Sequence, residues 1–236
     1  MENAAVRINK YIADAGICSR RNADKLIEEG KVFVNGKKAE SGMKVTTDDT
    51  VTVDGKTVSG ANSKVYLLFN KPVGIVCTSE KREKNNIIDY IGYPKRIMYA
   101  GRLDKDSEGL MLMTNDGDLI DALMRAKNKH EKEYMVSVDR PIDNNFIYSI
   151  RNGIYLEELD VTTRKCKASL IDNRTFKITI TEGHNRQIRR MCETLGRNVT
   201  SLQRVRIVNL TLGDLSVGKY RNLTKQELKE LEKLIY

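Results

Sequence analysis

Asp104 lies two residues after Arg102 in a charged loop, Gly101-Arg102-Leu103-Asp104-Lys105-Asp106-Ser107-Glu108-Gly109, set between two apolar runs at 97–100 and 110–113. A carboxylate held near a guanidinium stays ionised and oriented, as a covalent nucleophile requires. Two more segments carry groups of the same kind. In His130-Glu131-Lys132-Glu133-Tyr134-Met135-Val136 an aromatic residue opens a strand-like run. In Glu182-Gly183-His184-Asn185-Arg186-Gln187-Ile188-Arg189-Arg190-Met191 arginines crowd a helical stretch, and 183–206 as a whole holds six arginines, one acid (Glu193) and no lysine. The planar fork of arginine suits phosphate and carboxylate partners, whereas a merely solvated surface mixes in lysine and acids. Read singly, Asp104 is a turn residue, Tyr134 a strand packing residue and Arg189 a helix coat. Neighbouring arginines on a helix diverge, so Arg189 is expected to face inward and Arg190 to face a phosphate-bearing partner or solvent.

Regular elements must position these groups. Apolar runs recur at 65–69, 97–100, 110–113, 134–138 and 176–180 and read as strands; helical patterns fall near 117–126, 143–151, 185–195 and from 224 onward. The mixture predicts an α+β fold with a mainly antiparallel mixed sheet flanked by helices. The first segment differs. It predicts a helix carrying Ile8, Ile12 and Ala15, a second helix capped by Ser19 with Ala23, Leu26 and Ile27 on its inner face, and then short strands turning at Asn35-Gly36 and Asp54-Gly55. Arg20 and Arg21 fall in the first turn of that second helix. There they read equally as a phosphate-binding corner or as solvated surface. The small polar stretch 59–63 reads as a linker, dividing the chain into 1–60 and 61–236.

Composition narrows the partners. The 236 residues carry 41 Lys and Arg against 32 Asp and Glu, a formal net charge of +9, which favours polyanions. Cys18, Cys77, Cys166 and Cys192 form no CxxC pair, and His130 and His184 are far apart. That spacing argues against zinc and against a disulfide framework, and free thiols fit a reducing cytoplasm. No run is long enough to span a membrane. Asp104-x-Asp106-x-Glu108-Gly109 imitates the start of a calcium loop, but its twelfth position is Asn115 and its flanks read as strands, so no metal is expected.

Two resemblances join these pieces. Residues 6–58, through Gly16-Ile17-Cys18-Ser19-Arg20-Arg21-Asn22-Ala23, Leu26-Ile27, Gly30 and 32–36, resemble an S4 RNA-binding domain. Gly101-Arg102-Leu103-Asp104, Thr114-Asn115-Asp116-Gly117, Lys132-Glu133-Tyr134 and 185–191 resemble, in order and spacing, the pseudouridine synthases that act on small- and large-subunit ribosomal RNA. The resemblance implies isomerisation of uridine without a cofactor. Asp104 is then the nucleophile, Tyr134 the residue that stacks on the uracil, and Arg189 the partner of the nucleophile. Arg102 enters the space left by the extruded base, and Arg20, Arg21, Lys25, Arg186 and Arg190 contact RNA. Attack on the base and attack on the sugar are both consistent with these residues. The expected partner is ribosomal RNA, 23S above all, with tRNA as a side substrate, and the expected protein is a cytoplasmic monomer. The rival reading is a non-catalytic S4-type ribosome assembly or rescue factor. Departures from the family pattern are small: Ser107 replaces Thr, His184 replaces Arg, and Met111 and Met113 replace leucines.

Overall fold

A computed structural model describes residues 5–58, 63–125 and 128–236. The chain forms two compact units: a smaller one that runs to Lys64 and includes Pro94–Arg96 and Asn115–Gly117, and a larger one holding Val65–Tyr93, Ile97–Thr114 and Asp118–Tyr236. Residues 59–62 of the expected linker, and with them the 60/61 boundary, lie outside the described residues.

In the smaller unit β1 (Val6–Arg7) leads into α1 (Ile8–Asp14) and α2 (Arg20–Glu28). Ser19 caps α2, its side chain accepting the backbone N–H of Asn22 at 3.1 Å. Ala23 and Ile27, one turn apart, bury against Ile8 and Ile12 of α1. Four short strands, β2 (Val32–Val34), β3 (Lys37–Lys38), β5 (Val51–Val53) and β6 (Lys56–Thr57), form an antiparallel sheet in the order β3-β2-β5-β6, while β4 (Lys44–Val45) pairs with β1. Asn35 and Gly36 both take positive φ (51° and 78°), the backbone that a two-residue hairpin between twisted strands requires.

The larger unit is built on one nine-stranded sheet. Its main path runs β13 (Lys167–Asp172), β14 (Thr175–Ile180), β10 (Lys132–Val138), β15 (Val199–Ile207), β9 (Glu108–Thr114), β7 (Tyr66–Lys71), β17 (Tyr220–Asn222); β8 (Met98–Ala100) pairs with β9 and β16 (Leu210–Thr211) with β15. The β15–β9 pair is parallel and the other pairs are antiparallel. Side chains alternate along β7 and β9, and both faces are buried. Leu67, Phe69, Met111 and Met113 join one core with Ile147 of α5 (Asn144–Asn152) and Met191 of α6 (Gln187–Thr194). Leu68, Leu110 and Leu112 join the other, with Leu119 and Leu123 of α4 (Gly117–Met124) and Leu231 of α7 (Lys225–Ile235). A short helix, α3 (Ile87–Ile91), adds Ile87 to the first core. The small strands β11 (Tyr155–Leu156) and β12 (Val161–Thr162) pair with each other.

Pairing registers set Tyr134, Arg204, Gly109 and Lys71 side by side across four strands. Gly109 permits this crossing. Its φ is +106°, and a Cβ there would stand 2.3 Å from the Arg204 carbonyl oxygen, so no other residue fits.

Candidate active site

The rung ends beneath a cleft of about 770 Å³ whose lining includes Arg102, Asp104, Lys132, Tyr134, Arg186 and Arg204. The loop 103–107 crosses it under restraint along its backbone. Leu103 N–H donates to Cys77 Sγ at 3.4 Å, and Gly74 N–H donates to Lys105 O at 2.7 Å. The carbonyl oxygen of Asp104 accepts from Ser107 N–H and from Lys71 Nζ, both at 3.1 Å. Lys71, fully buried, donates also to Ser107 O at 2.7 Å and Pro72 O at 3.0 Å. Burial pulls its pKa below the ordinary lysine value. These bonds hold the Asp104 backbone and leave its half-buried carboxylate to the cleft.

The arginines divide differently from expectation. The guanidinium at the Asp104 carboxylate belongs to Arg186, with Nη1 4.0 Å from Oδ2, and the same nitrogen bonds both oxygens of Asp106 at 3.2 Å. Arg186 reaches them because it caps α6 in a left-handed conformation, φ +51°. Arg189, expected to pair with Asp104, is buried and instead ties the loop to the sheet. Its Nη2 donates to Asp106 O at 2.8 Å and Ser107 Oγ at 3.2 Å, and its Nη1 donates to Val199 O at 3.3 Å. Its Nε lies 3.4 Å from Asp106 Oδ2, within ion-pair reach but off the hydrogen-bond direction. The physical reason is helical geometry: Arg189 sits a turn inside α6, facing the core, while the cap position overhangs the cleft.

The run 183–206 does not make one basic face. Arg190 bonds Asn185 O at 3.1 Å and pairs with Glu158. Arg197 donates to Pro141 O at 3.0 Å. Arg206 meets Glu131 at 3.0 Å and Glu133 at 3.5 Å. Arg204 is 1% exposed. Two of these lie on one strand, and internal acids or carbonyls satisfy them, so a cluster in sequence becomes scattered in space.

Tyr134 is buried on the cleft-facing core side of β10, and Arg102 is exposed at the rim. His184 stands 3.5 Å from Glu182, whose carboxylate also accepts from Gln187 Nε2 and Arg164 N–H, both at 2.8 Å. In the smaller unit Arg20, Arg21 and Lys25 are exposed on α2, Arg21 and Lys25 one turn apart. Sequence reasoning missed Lys71 and Arg204. Lys71 lies just past the apolar run at 65–69, and Arg204 falls within the arginine-rich run 183–206, so neither stands out from its neighbours. Among the described residues no group of three or more His, Cys, Asp or Glu side chains is placed to hold a metal ion, and no helix is long and apolar enough to cross a membrane.

Comparison with known proteins places this geometry. Residues 65–194 match the family model described as RNA pseudouridylate synthase, and residues 6–51 match the S4 domain. The chain is 48% identical, over all of its length and 81% of the relative's, to the dual-specificity RNA pseudouridine synthase RluF of Salmonella typhi. It is 38% identical to the ribosomal large subunit pseudouridine synthase B of Bacillus subtilis, covering 97% of this chain and 96% of that one. A crystal structure of a pseudouridylate synthase superposes with a TM-score of 0.71 at 30% identity, covering 96% of this chain and 99% of the other. Fold, cleft and likeness define an isomerase of the RNA-modifying class with an N-terminal S4 domain. The chain belongs to the RNA pseudouridylate synthase family.

Proposed function

We propose that this chain converts one uridine of 23S ribosomal RNA to pseudouridine, with Asp104 as the nucleophile and Tyr134 as the platform for the extruded base. The observation that carries this reading is the restraint of the Asp104 backbone: its carbonyl oxygen is held from two sides while its carboxylate is left to a cleft that Tyr134 also lines. A stacked base cannot be attacked or turned over, so it must be flipped out, at a cost of a few kcal/mol. Stacking on an aromatic ring returns roughly 1–3 kcal/mol. Arg102, exposed at the rim, fills the gap in the helix. Arg186 orients the carboxylate, and Arg189 acts through the loop. Arg190, engaged by Glu158, contributes to RNA contact at most by exchanging that partner.

The division of labour follows the chain. The S4 region, 1–60, grips structured RNA through Arg20, Arg21 and Lys25, and 61–236 carries out the isomerisation. The likeness to a relative named a dual-specificity RNA pseudouridine synthase supports a second RNA substrate, which we take to be tRNA. The protein acts in the cytoplasm, as a monomer.

The test uses ribosomal RNA carrying tritium at C5 of uracil. Isomerisation expels that hydrogen, because C5 becomes the glycosidic carbon. The wild type is expected to release tritium, and Asp104→Asn to release none while binding RNA equally well. Release by both would remove Asp104 from the chemistry. Release by neither, with RNA still bound, would favour a non-catalytic assembly factor.

A further inference from the structure

Lys132 opens β10 two residues before Tyr134, so the two side chains share one face of the strand and line the same cleft. Its ammonium has one hydrogen bond, a long one at 3.4 Å to the carbonyl of His130. Among the described residues no carboxylate pairs with it. The adjacent acids, Glu131 and Glu133, alternate away from it and are taken by Arg206, Lys167 and Lys177. Burial lowers the pKa of Lys132, and the charge that acts on it is another cation, Arg204. Arg204, in register with Tyr134, donates Nε to Leu110 O at 2.7 Å and contacts Met111 Sδ through Nη2 at 2.9 Å, again without a carboxylate. Beside them His130 has a buried Nε2 with no hydrogen-bond partner among the described residues, and its burial favours the neutral ring.

A buried cation without a counter-ion is costly. Arg204 is buried and Lys132 half-buried beside the stacking residue, neither paired with a carboxylate among the described residues, which indicates that the missing negative charge arrives with the substrate. Phosphates remain with the RNA backbone at the rim, where Arg102 and Arg125 are exposed. The group that reaches the depth of Tyr134 is the base.

We propose that Lys132, backed by Arg204, is a catalytic residue whose ammonium receives a carbonyl oxygen of the extruded uracil and stabilises the negative charge that collects there. The inference rests on the roles given above to Asp104 and Tyr134. If Asp104 takes C1′, the C1′–N1 bond breaks and its electron pair stays on uracil, shared by O2 and O4. If Asp104 bonds to C6, the C5–C6 π pair moves through C4 onto O4. Both routes place the charge on a uracil oxygen and need no co-reactant. On the first route C5 attacks C1′ and the Asp104–C1′ ester bond breaks, returning the carboxylate; on the second the C1′–N1 bond breaks, C5 bonds to C1′, and the Asp104–C6 bond breaks as C5 gives up its proton. On both, C5 loses one proton, N1 gains one, and the charge on the uracil oxygen is discharged. A cation fixed at this edge also selects the base, since cytosine presents an amino group where uracil presents O4.

The test compares Lys132→Met and Lys132→Arg with the wild-type full chain on ribosomal RNA tritiated at C5. Lys132→Met is expected to lower the single-turnover rate at saturating enzyme by ~10²–10³-fold, the loss typical of a missing oxyanion partner. RNA affinity and its salt dependence should be unchanged, and Lys132→Arg should restore most of the rate. Removing an unpaired, half-buried charge should also raise the thermal midpoint, an effect that a merely structural lysine would reverse. An unchanged rate, or a fall in rate together with the midpoint, would overturn the proposal. So would weaker binding with a salt slope shallower by about 0.7–0.9, which would assign Lys132 to a phosphate. Silence of the wild type in the same assay would overturn the proposed function itself, and this inference with it.

Discussion

Arg186 reaches the carboxylate of Asp104 at 4.0 Å, while Arg189, three residues further along α6, holds the carbonyl oxygen of Asp106 at 2.8 Å. One arginine addresses the reacting group and the other addresses the loop that carries it. Arg186→Gln should therefore lower the single-turnover rate, by roughly tenfold to a hundredfold for a missing charge partner, and leave the thermal midpoint close to wild type. Arg189→Gln should lower both, because Asp106 O, Ser107 Oγ and Val199 O lose a donor and each loss costs about 1–3 kcal/mol where the site is buried. Equal midpoints for the two variants would refute this division.

Lys71 is the second anchor of the loop. It is fully buried and donates to three carbonyls, those of Pro72, Asp104 and Ser107. Lys71→Met fills most of the volume but leaves those acceptors dry. Denaturant unfolding should show a loss of about 1–3 kcal/mol or more, and tritium release should fall because the Asp104 backbone is no longer held. A variant as stable and as fast as wild type would mean that Ser107 N–H and Arg189 suffice.

The contrast between these residues and the rest shows what could be read from the sequence. The S4 helices and hairpin were legible because Ser19, Asn35 and Gly36 act locally, through a cap and two positive φ values that neighbours do not influence. Strands β7, β9 and β10 were legible from their apolar runs. Strand β15 was not, although it is nine residues long and central. Its Arg204 and Arg206 break the apolar pattern, and only the tertiary partners Leu110 O, Glu131 and Glu133 make their placement tolerable. The exchange of Arg186 for Arg189 beside Asp104 is of the same kind. Spacing puts both on the helix, but which one overhangs the cleft depends on where α6 begins, a matter of one residue.

Arg20 and Arg21 open α2, and Lys25 follows one turn after Arg21, all exposed. If they bind phosphate, Arg20→Ala with Arg21→Ala weakens RNA binding and lowers the slope of log affinity against log salt by about 0.7–0.9 for each phosphate no longer neutralised. The single-turnover rate at saturating enzyme should not change, since binding is then complete. A slower rate under saturation would place these arginines in RNA remodelling, and an unchanged affinity would return them to solvated surface.

Helix α7 closes the second core through Leu231 and Ile235, and its first turn is tied by Arg221, which donates to Glu227 at 2.7 and 2.9 Å. Glu227 also accepts from Thr224 N–H at 2.8 Å in a capping box. Those bonds, Arg221 first, hold the Glu227 carboxyl down to about 2, against 4.5 for the unperturbed group. A carboxylate depressed in the folded state stabilises fully above its unfolded pKa, and the contribution fades as pH falls towards the folded value. Wild type should therefore exceed Glu227→Gln in thermal midpoint at pH 7, and the gap should narrow between pH 4.5 and about 2. Midpoints of both proteins across that interval decide the matter. A gap that stays constant with pH would assign the difference to neutral hydrogen bonding within the cap, and no gap at all would mean that solvent screens the Arg221 pair and that the apolar contacts of Leu231 and Ile235 anchor α7 by themselves.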